Sequence, residues 1–221
     1  MVKTEKSTFQ FLSELKKNNN KKWFDRNRDR YLQAKKNAEE ISALMQQILS
    51  RSDASFRTLD PKKCLFRIFR DVRFSKDKRP YKTHFGIWMT PGGKDPFSPG
   101  YYLHIEPGDS FFAGGLYMPQ GEALFKVRQE IDYNLRDFKA LLKQSAFKKH
   151  FKGLDESERL KKAPRGFDPE SPALEFLKMK SFTASSVISG SQMTGSGLEK
   201  QLEAKIKALK PLHCFLREAL A

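Results

Sequence analysis

Residues 101–118 read YYLHIEPGDSFFAGGLYM, and this stretch decides the fold class. Its first half alternates between two sets of side chains, and this period of two predicts a β-strand with two different faces. One face carries Tyr102, His104 and Glu106, and the other carries Tyr101, Leu103 and Ile105. A second strand is predicted at 110–118, and the short link between the two strands favours an antiparallel pair.

The same alternation occurs in segments before and after this stretch. Residues 66–74 and 83–89 both alternate, so each is expected to form a strand. The segment SFTASSVIS at 181–189 is also typical of a strand and is expected to join the sheet. A loop rich in Pro and Gly, PGGKDPFSPG at 91–100, lies between two of these strands.

The two ends of the chain follow a helical period instead. Residues 21–50 place a row of apolar side chains on one face of a long helix, and a second helical region begins after Pro119. We therefore predict an α+β fold with a mostly antiparallel central sheet of about four to six strands, flanked by N-terminal and C-terminal helices. A single domain over 1–221 is expected, with the following parts: helical 7–50, sheet 64–118, helical 120–162, and a strand with helices at 166–220.

The composition indicates a globular and strongly basic chain. Its 221 residues include 42 Lys and Arg against 26 Asp and Glu, which gives a formal net charge of +16. The N-terminus lacks the apolar run of a signal peptide, and no stretch approaches the roughly 20 apolar residues that span a bilayer. The two cysteines match no CxxC pattern. We expect a cytoplasmic protein with no membrane contact.

Positive charge is concentrated in blocks, and residues 61–85 carry the densest one. This block contains nine basic and two acidic side chains, a net charge of +7. Such a field favours an anionic partner, either a phosphate-bearing small molecule or nucleic acid. A basic surface that only keeps the protein soluble would carry the same pattern.

Arg70 raises a sharper question within this block. Alternation places it on the apolar face of the 66–74 strand, where a charge needs a partner. That partner is either a carboxylate of the protein, with Glu106 or Asp71 available, or a phosphate or carboxylate of a ligand. Tyr81 lies among solvent-facing cations and could stack on a base. The candidate ligand-binding residues are Arg67, Arg70, Arg73, Lys82, Tyr81, Tyr102 and, from the turn at 164–168, Arg165.

His104 and Glu106 are the candidate catalytic residues, together with Asp71. If the strand that contains His84 pairs beside them, two imidazoles and a carboxylate converge, a set that suits iron or zinc. No HxH, HxxxH or HExxH spacing supports a metal site, so a His–Glu pair for acid–base work is the preferred interpretation. We predict no metal and no cofactor.

Four segments together resemble a known family: NNNKKWFDRNRDRY, RIFRDVRFSKDKRPYKTHFG, GYYLHIEPGDSFFAGG and LKKAPRGFDPESPALEFLKMKSF. They are similar, over nearly the whole chain and in the same order, to the domain-of-unknown-function family DUF2461. The resemblance implies a stand-alone cytoplasmic domain and supplies no activity. It draws attention to the positions here that match the family's signature: Trp23, Phe24, Arg67, Arg70, Asp71, Arg73, Phe74, Pro80, Tyr81, Lys82, Tyr102, Arg165 and Gly166.

These observations favour binding of an anionic, phosphate-bearing ligand or nucleic acid on a basic face of the sheet. The alternative is an enzyme that acts on a small anionic substrate. In that case arginines would hold the substrate, and His104 with Glu106 or Asp71 would transfer protons.

Overall fold

The computed structural model describes residues 1–93, 95 and 97–221. The first half of the described chain contains these elements: α1 Lys6–Lys17, α2 Lys21–Arg26, α3 Arg28–Ser52, a 3₁₀ turn Ala54–Phe56, α4 Pro61–Cys64, β1 Phe85–Met89 and β2 Gly100–Ile105. The second half contains β3 Phe111–Leu116, α5 Gly121–Tyr133, α6 Leu135–Lys143, α7 Ser145–His150, α8 Leu174–Leu177, β4 Phe182–Val187, α9 Gly190–Thr194 and α10 Leu198–Leu220.

The four strands form one antiparallel sheet in the order β1-β2-β3-β4. Helices precede and follow the strands along the chain, so the predicted α+β class is confirmed. β2 and β3 come from the stretch 101–118, where alternating side chains and a short link specify an antiparallel neighbour. No helix within the described ranges is both long enough and apolar enough to pass through a bilayer.

The chain divides into two compact units. The first comprises Met1–Lys94, Tyr102–Phe112 and Val187–Glu203. In this unit α1 packs on α3, and both helices bury apolar side chains: Phe11, Leu12 and Leu15 from α1, and Ala38, Ile41 and Met45 from α3. Burial of such side chains supplies the main favourable free energy of folding.

The second unit comprises Asp95–Tyr101, Ala113–Ser186 and Ala204–Ala221. Phe138 is fully buried there, and its ring centroid lies 5.0 Å from those of both Phe176 and Phe215. Aromatic contacts of this kind combine a large buried area with favourable ring geometry. The single-domain organisation expected from the sequence stays a prediction.

Two local expectations were wrong. The long helix expected at 21–50 is divided at Asn27 into α2 and α3. Residues 66–74 do not form a regular strand; the segment carries one isolated bridge, from Phe69 to Tyr81. Side chains of Asp71 and Asp77 each accept a hydrogen bond from the backbone N–H two residues later. Such local bonds bend the backbone into turns and compete with a sheet ladder.

The segment 66–82, called the basic arm below, is an irregular hairpin that runs beside the start of β1. Its ends are held by backbone hydrogen bonds from Phe66 N–H to the Gly86 carbonyl at 2.8 Å and from Lys82 N–H to the Ile68 carbonyl at 2.7 Å. A third bond joins Arg70 N–H to the Pro80 carbonyl at 2.9 Å. Of these three bonds, the first joins the arm to β1 and the other two join its own two sides, and the tip lies beyond this pairing.

Candidate functional site

Arg70 is held by a carboxylate near the tip of the basic arm. Its Nη1 donates to Oδ2 of Asp77 at 2.6 Å and to the Arg79 carbonyl at 3.2 Å. The side chain is 24% exposed, so Arg70 does not lie on a core face as alternation predicted. Its partner is neither Glu106 nor Asp71, because the turn at the tip brings Asp77 back toward it.

Asp77 also forms an ion pair with a second arginine, Arg79. Arg79 donates to it through Nε at 3.0 Å and Nη2 at 2.7 Å, a two-pronged contact that fixes the guanidinium plane. The hydrogen bonds of the Arg79 side chain and backbone, and then that of Arg70, hold the pKa of Asp77 far below its usual range. The carboxylate thus stays ionised and sets the orientation of two cations.

Asp71 has the same relationship with Arg73. Nε and Nη2 of Arg73 both donate to its carboxylate, the latter at 2.7 Å, and these bonds lower the pKa of Asp71. The hydrogen bonds of Glu106 go to other residues. Of the two carboxylates considered as the partner of His104, Glu106 is the one hydrogen-bonded to it, whereas Asp71 is engaged with Arg73.

Three phenylalanines of the basic arm are open to solvent. The exposed fraction is 36% for Phe66, 49% for Phe69 and 96% for Phe74. Cations lie over two of these rings, with Lys82 Nζ 5.2 Å from the centroid of Phe66 and the Arg73 guanidinium 5.9 Å from that of Phe74. The Phe69 ring also packs on Phe24 and Tyr81, with ring centroids 5.9 and 5.6 Å apart, so Phe74 is the most exposed of the three rings.

Tyr81 anchors the basic arm and does not belong to its open surface. It is 5% exposed, and its ring stacks on Phe24 with centroids 4.0 Å apart and planes 11° apart. The Asn19 side chain forms two hydrogen bonds with the Tyr81 backbone, donating to its carbonyl at 2.9 Å and accepting from its N–H at 3.1 Å. The base-stacking role considered for Tyr81 is incompatible with this burial.

A second group of polar side chains, called the β2 cluster, lies on one face of β2 and of the residue that follows it, as the alternation predicts. Tyr102, His104 and Glu106 form a continuous hydrogen-bonded chain in which Tyr102 Oη is 2.9 Å from His104 Nδ1 and His104 Nε2 is 3.1 Å from Glu106 Oε2. Since the carboxylate only accepts, Nε2 carries the imidazole proton and Nδ1 accepts from the phenol. The acid–base alternative requires such a pair, and it stays a prediction.

Glu106 is buried yet remains ionised. Its other oxygen, Oε1, accepts from Thr83 Oγ1 at 3.0 Å and from Lys16 Nζ at 3.3 Å. Burial by itself would raise the pKa of Glu106, but hydrogen bonds from His104, Thr83 and Lys16 outweigh it and leave the pKa below its ordinary value. Sequence reasoning missed Thr83 and Lys16; Lys16 comes from α1, and no local pattern connects it to β2.

His84 completes the β2 cluster from the residue before β1. Its ring centroid lies 4.1 Å from that of His104, and its Nδ1 is 4.0 Å from Glu106 Oε2. Burial, and then the neighbouring His104, lower the pKa of His84 to about 4, so the ring is neutral near pH 7. Burial likewise raises the pKa of Tyr102 to about 12, which keeps its phenol protonated. Pairing of β1 with β2 thus brings together the three side chains that the sequence suggested could converge.

The remaining ligand-binding candidates lie in different surroundings. Arg67 is an exposed residue of the basic arm, and Lys82 is half-buried at its end. Arg165 is exposed and belongs to the second unit, beside Gly166 with a backbone φ of 88°. Arg67 and Lys82 therefore join the open surface of the arm, whereas Arg165 is assigned to no site.

Comparison with known proteins gives one match. A family described as conserved hypothetical protein (DUF2461) matches residues 7–215 of the chain. No curated protein and no solved structure matches.

Proposed function

The chain belongs to the DUF2461 family, and we propose that it binds single-stranded nucleic acid through the basic arm, residues 66–82. The observation that carries this proposal is the placement of three solvent-exposed phenylalanines among cations on one hairpin: Phe66, Phe69 and Phe74. Proteins that bind single strands combine two features, a positive track for phosphates and aromatic rings on which bases stack.

The charge of the basic arm suits a phosphate backbone. Seven Lys and Arg side chains lie between residues 66 and 82 against two Asp, a net charge of +5. Both aspartates form ion pairs with arginines of the arm itself, so they orient these cations as well as lowering the net charge. Nε and Nη2 of Arg73 and Arg79 face these carboxylates, and the opposite edge of each guanidinium is directed away from them.

The aromatic rings favour a single strand over a free phosphate compound. Phosphate alone offers no apolar surface to Phe74, which is 96% exposed, whereas every base has a face that can stack on it. Stacking contributes about 1–3 kcal/mol per base, which is enough to make a small basic arm a useful binding surface. Bases in a duplex are already stacked on one another, so they are closed to the three rings.

Fluorescence anisotropy with labelled oligothymidylate of about 15 nucleotides tests the proposal, because site sizes of single-strand binders lie in this range. Affinity should fall as salt rises, with a slope of log K against log salt of roughly −0.7 for each phosphate neutralised. A duplex of the same length should bind more weakly than the single strand. Absence of binding at low salt, salt-independent binding, or equal affinity for the duplex would contradict the proposal.

A further inference from the structure

We propose that His84, His104 and Glu106 of the β2 cluster bind one divalent first-row transition-metal ion. The inference goes beyond the nucleic-acid function proposed for the basic arm and does not depend on it. It rests on three side chains of the first unit that offer two imidazole nitrogens and a carboxylate oxygen to the same small space. Two histidines and one carboxylate are a recurrent ligand set of such ions.

The separations between the donor atoms fit a single ion. One donor atom from each of the three residues lies within 4.8 Å of the other two. His104 Nε2 and Glu106 Oε2 are 3.1 Å apart, and His84 Nδ1 is 4.0 Å from the same oxygen. Bonds of about 2.0–2.2 Å to a tetrahedral ion place neighbouring donors roughly 3.4 Å apart. Displacements of the donor atoms by a few tenths of an ångström to about an ångström are therefore sufficient to enclose the ion.

The surroundings already hold two of the three ligands in place. Lys16 and Thr83 occupy Oε1 of Glu106, which leaves Oε2 directed at the histidines. Tyr102 Oη contacts Nδ1 of His104, the nitrogen opposite the one that would bind. When Nε2 takes the ion, the imidazole proton moves to Nδ1 and is donated to the phenol oxygen. Such outer hydrogen bonds are the usual means of fixing a ligating histidine.

The ligand chemistry selects the class of ion. Mg²⁺ and Ca²⁺ prefer sites made only of oxygen, whereas imidazole nitrogens suit Zn²⁺, Fe²⁺, Co²⁺ and Ni²⁺. Three protein ligands leave at least one position open, which is the arrangement of catalytic sites, since structural zinc sites are closed by four. His84 has a side chain that is 27% exposed, so solvent reaches one of the three ligands.

Gly86 makes room for the tyrosine that supports His104. A Cβ atom at this position would lie 2.7 Å from Tyr102 Oη and 3.1 Å from a carbon of the same ring. The absence of a side chain at 86 thus allows the phenol to reach His104. Tyr102 is a positioning residue in this scheme, and its removal should weaken binding of the ion by about 10–100-fold while leaving all three ligands present.

Titration calorimetry of the full chain, freed of metal by chelation, with ZnCl₂ tests the inference. We expect one Zn²⁺ per chain, an affinity lowered at least 100-fold in His84→Gln and in Glu106→Gln, and a smaller loss in Tyr102→Phe. His150→Gln, which alters a half-buried histidine of the second unit, should bind as the wild type does. Co²⁺ in place of Zn²⁺ should give visible ligand-field absorption that His84→Gln abolishes.

The half-exposed position of His84 makes its variant the decisive one, since replacement there should leave the fold intact. Circular dichroism and thermal unfolding of each variant establish that it is folded. No stoichiometric Zn²⁺ binding by the wild type would overturn the inference. So would a His84→Gln chain that is folded and binds Zn²⁺ undiminished. Oligothymidylate binding, measured on the same samples, should be equal in wild type and His84→Gln, so failure of one proposal leaves the other standing.

Discussion

Arg70 and Asp77 join the two sides of the basic arm, with Nη1 of the arginine 2.6 Å from Oδ2 of the aspartate. They are seven positions apart in the sequence, and Asp77 also accepts hydrogen bonds from the Arg79 side chain and backbone. One carboxylate therefore fixes the shape of the tip and the direction of two guanidinium groups. The arm's exposed cations are consequently presented on a defined scaffold.

Asp77→Asn should destabilise the chain at neutral pH and have no effect in strong acid. The folded-state pKa of Asp77 lies below its unfolded value, so its stabilisation is fully present above about pH 4 and is lost as the pH falls toward the folded-state pKa. Urea unfolding at several pH values measures this. The difference between wild type and variant should be largest near pH 7 and should close in strong acid.

Asp109→Asn, which alters an exposed aspartate outside the arm, is the matched control. It should change the free energy of unfolding by less than about 0.5 kcal/mol at every pH. A stability difference for Asp77→Asn that stayed constant from pH 7 into strong acid would show that the ionised carboxylate is not the cause.

Phe74→Ala should weaken oligothymidylate binding without changing its salt dependence. The ring is 96% exposed, so its loss costs little folding stability, but it removes one stacking surface worth about 1–3 kcal/mol. Arg67→Ala should instead lower the salt slope, because it removes a cation. Anisotropy titrations at several salt concentrations separate the two effects.

Phe97→Ala serves as the control for Phe74, since Phe97 is also largely exposed, at 69%, but lies outside the arm. Equal losses in Phe74→Ala and Phe97→Ala would argue against the arm as the binding surface. An unchanged affinity in Phe74→Ala would remove the aromatic part of the proposal.

Asn19→Ala should destabilise the fold by about 1–3 kcal/mol, because it removes two hydrogen bonds to the backbone of the buried Tyr81. Asn19→Asp is the matched variant: it keeps the acceptor for the Tyr81 N–H but places a second carboxylate oxygen against the Tyr81 carbonyl, where two acceptors repel each other. Chemical denaturation should rank wild type above both variants. Equal stability of all three would mean that the grip on Tyr81 contributes nothing.

Sequence reasoning succeeded where local pattern and neighbouring elements agree. The alternation of β2 placed Tyr102, His104 and Glu106 on one face, and hydrogen bonds join all three. It failed in the arm, where turns at Asp71 and Asp77 interrupt the alternation and send Arg70 to a partner that the strand pattern did not offer.

Hydrogen-bond partners that come from distant segments of the chain could not be predicted from any local sequence pattern. Asn19 is 62 residues from Tyr81, and Lys16 is 90 residues from Glu106. A run of asparagines reads as a helix boundary, and Asn20 does cap α2 by accepting from Trp23 N–H. The neighbouring Asn19 binds the backbone of the basic arm, and this contact depends on how α1 and α2 pack in the folded chain.

Lys205→Met should make the chain more stable at neutral pH, by about 1–3 kcal/mol. Lys205 is 7% exposed on α10, and its amine donates to the Ser186 hydroxyl, a neutral partner. Burial lowers the pKa of Lys205, which means that the folded chain holds the charged form at a cost. Methionine keeps the length of the side chain and removes the charge.

The stability gained in Lys205→Met should depend on pH. Because the folded-state pKa of Lys205 is below the unfolded value, the penalty is present at neutral pH and shrinks as the pH rises toward about 10.4, where the unfolded amine also loses its proton. The gain from Lys205→Met in urea unfolding should therefore be smaller at pH 10 than at pH 7. Lys200→Met, an exposed lysine of the same helix, should change stability by less than about 0.5 kcal/mol at either pH. A destabilised Lys205→Met chain would instead indicate that the bond to Ser186 outweighs the cost of burying the charge.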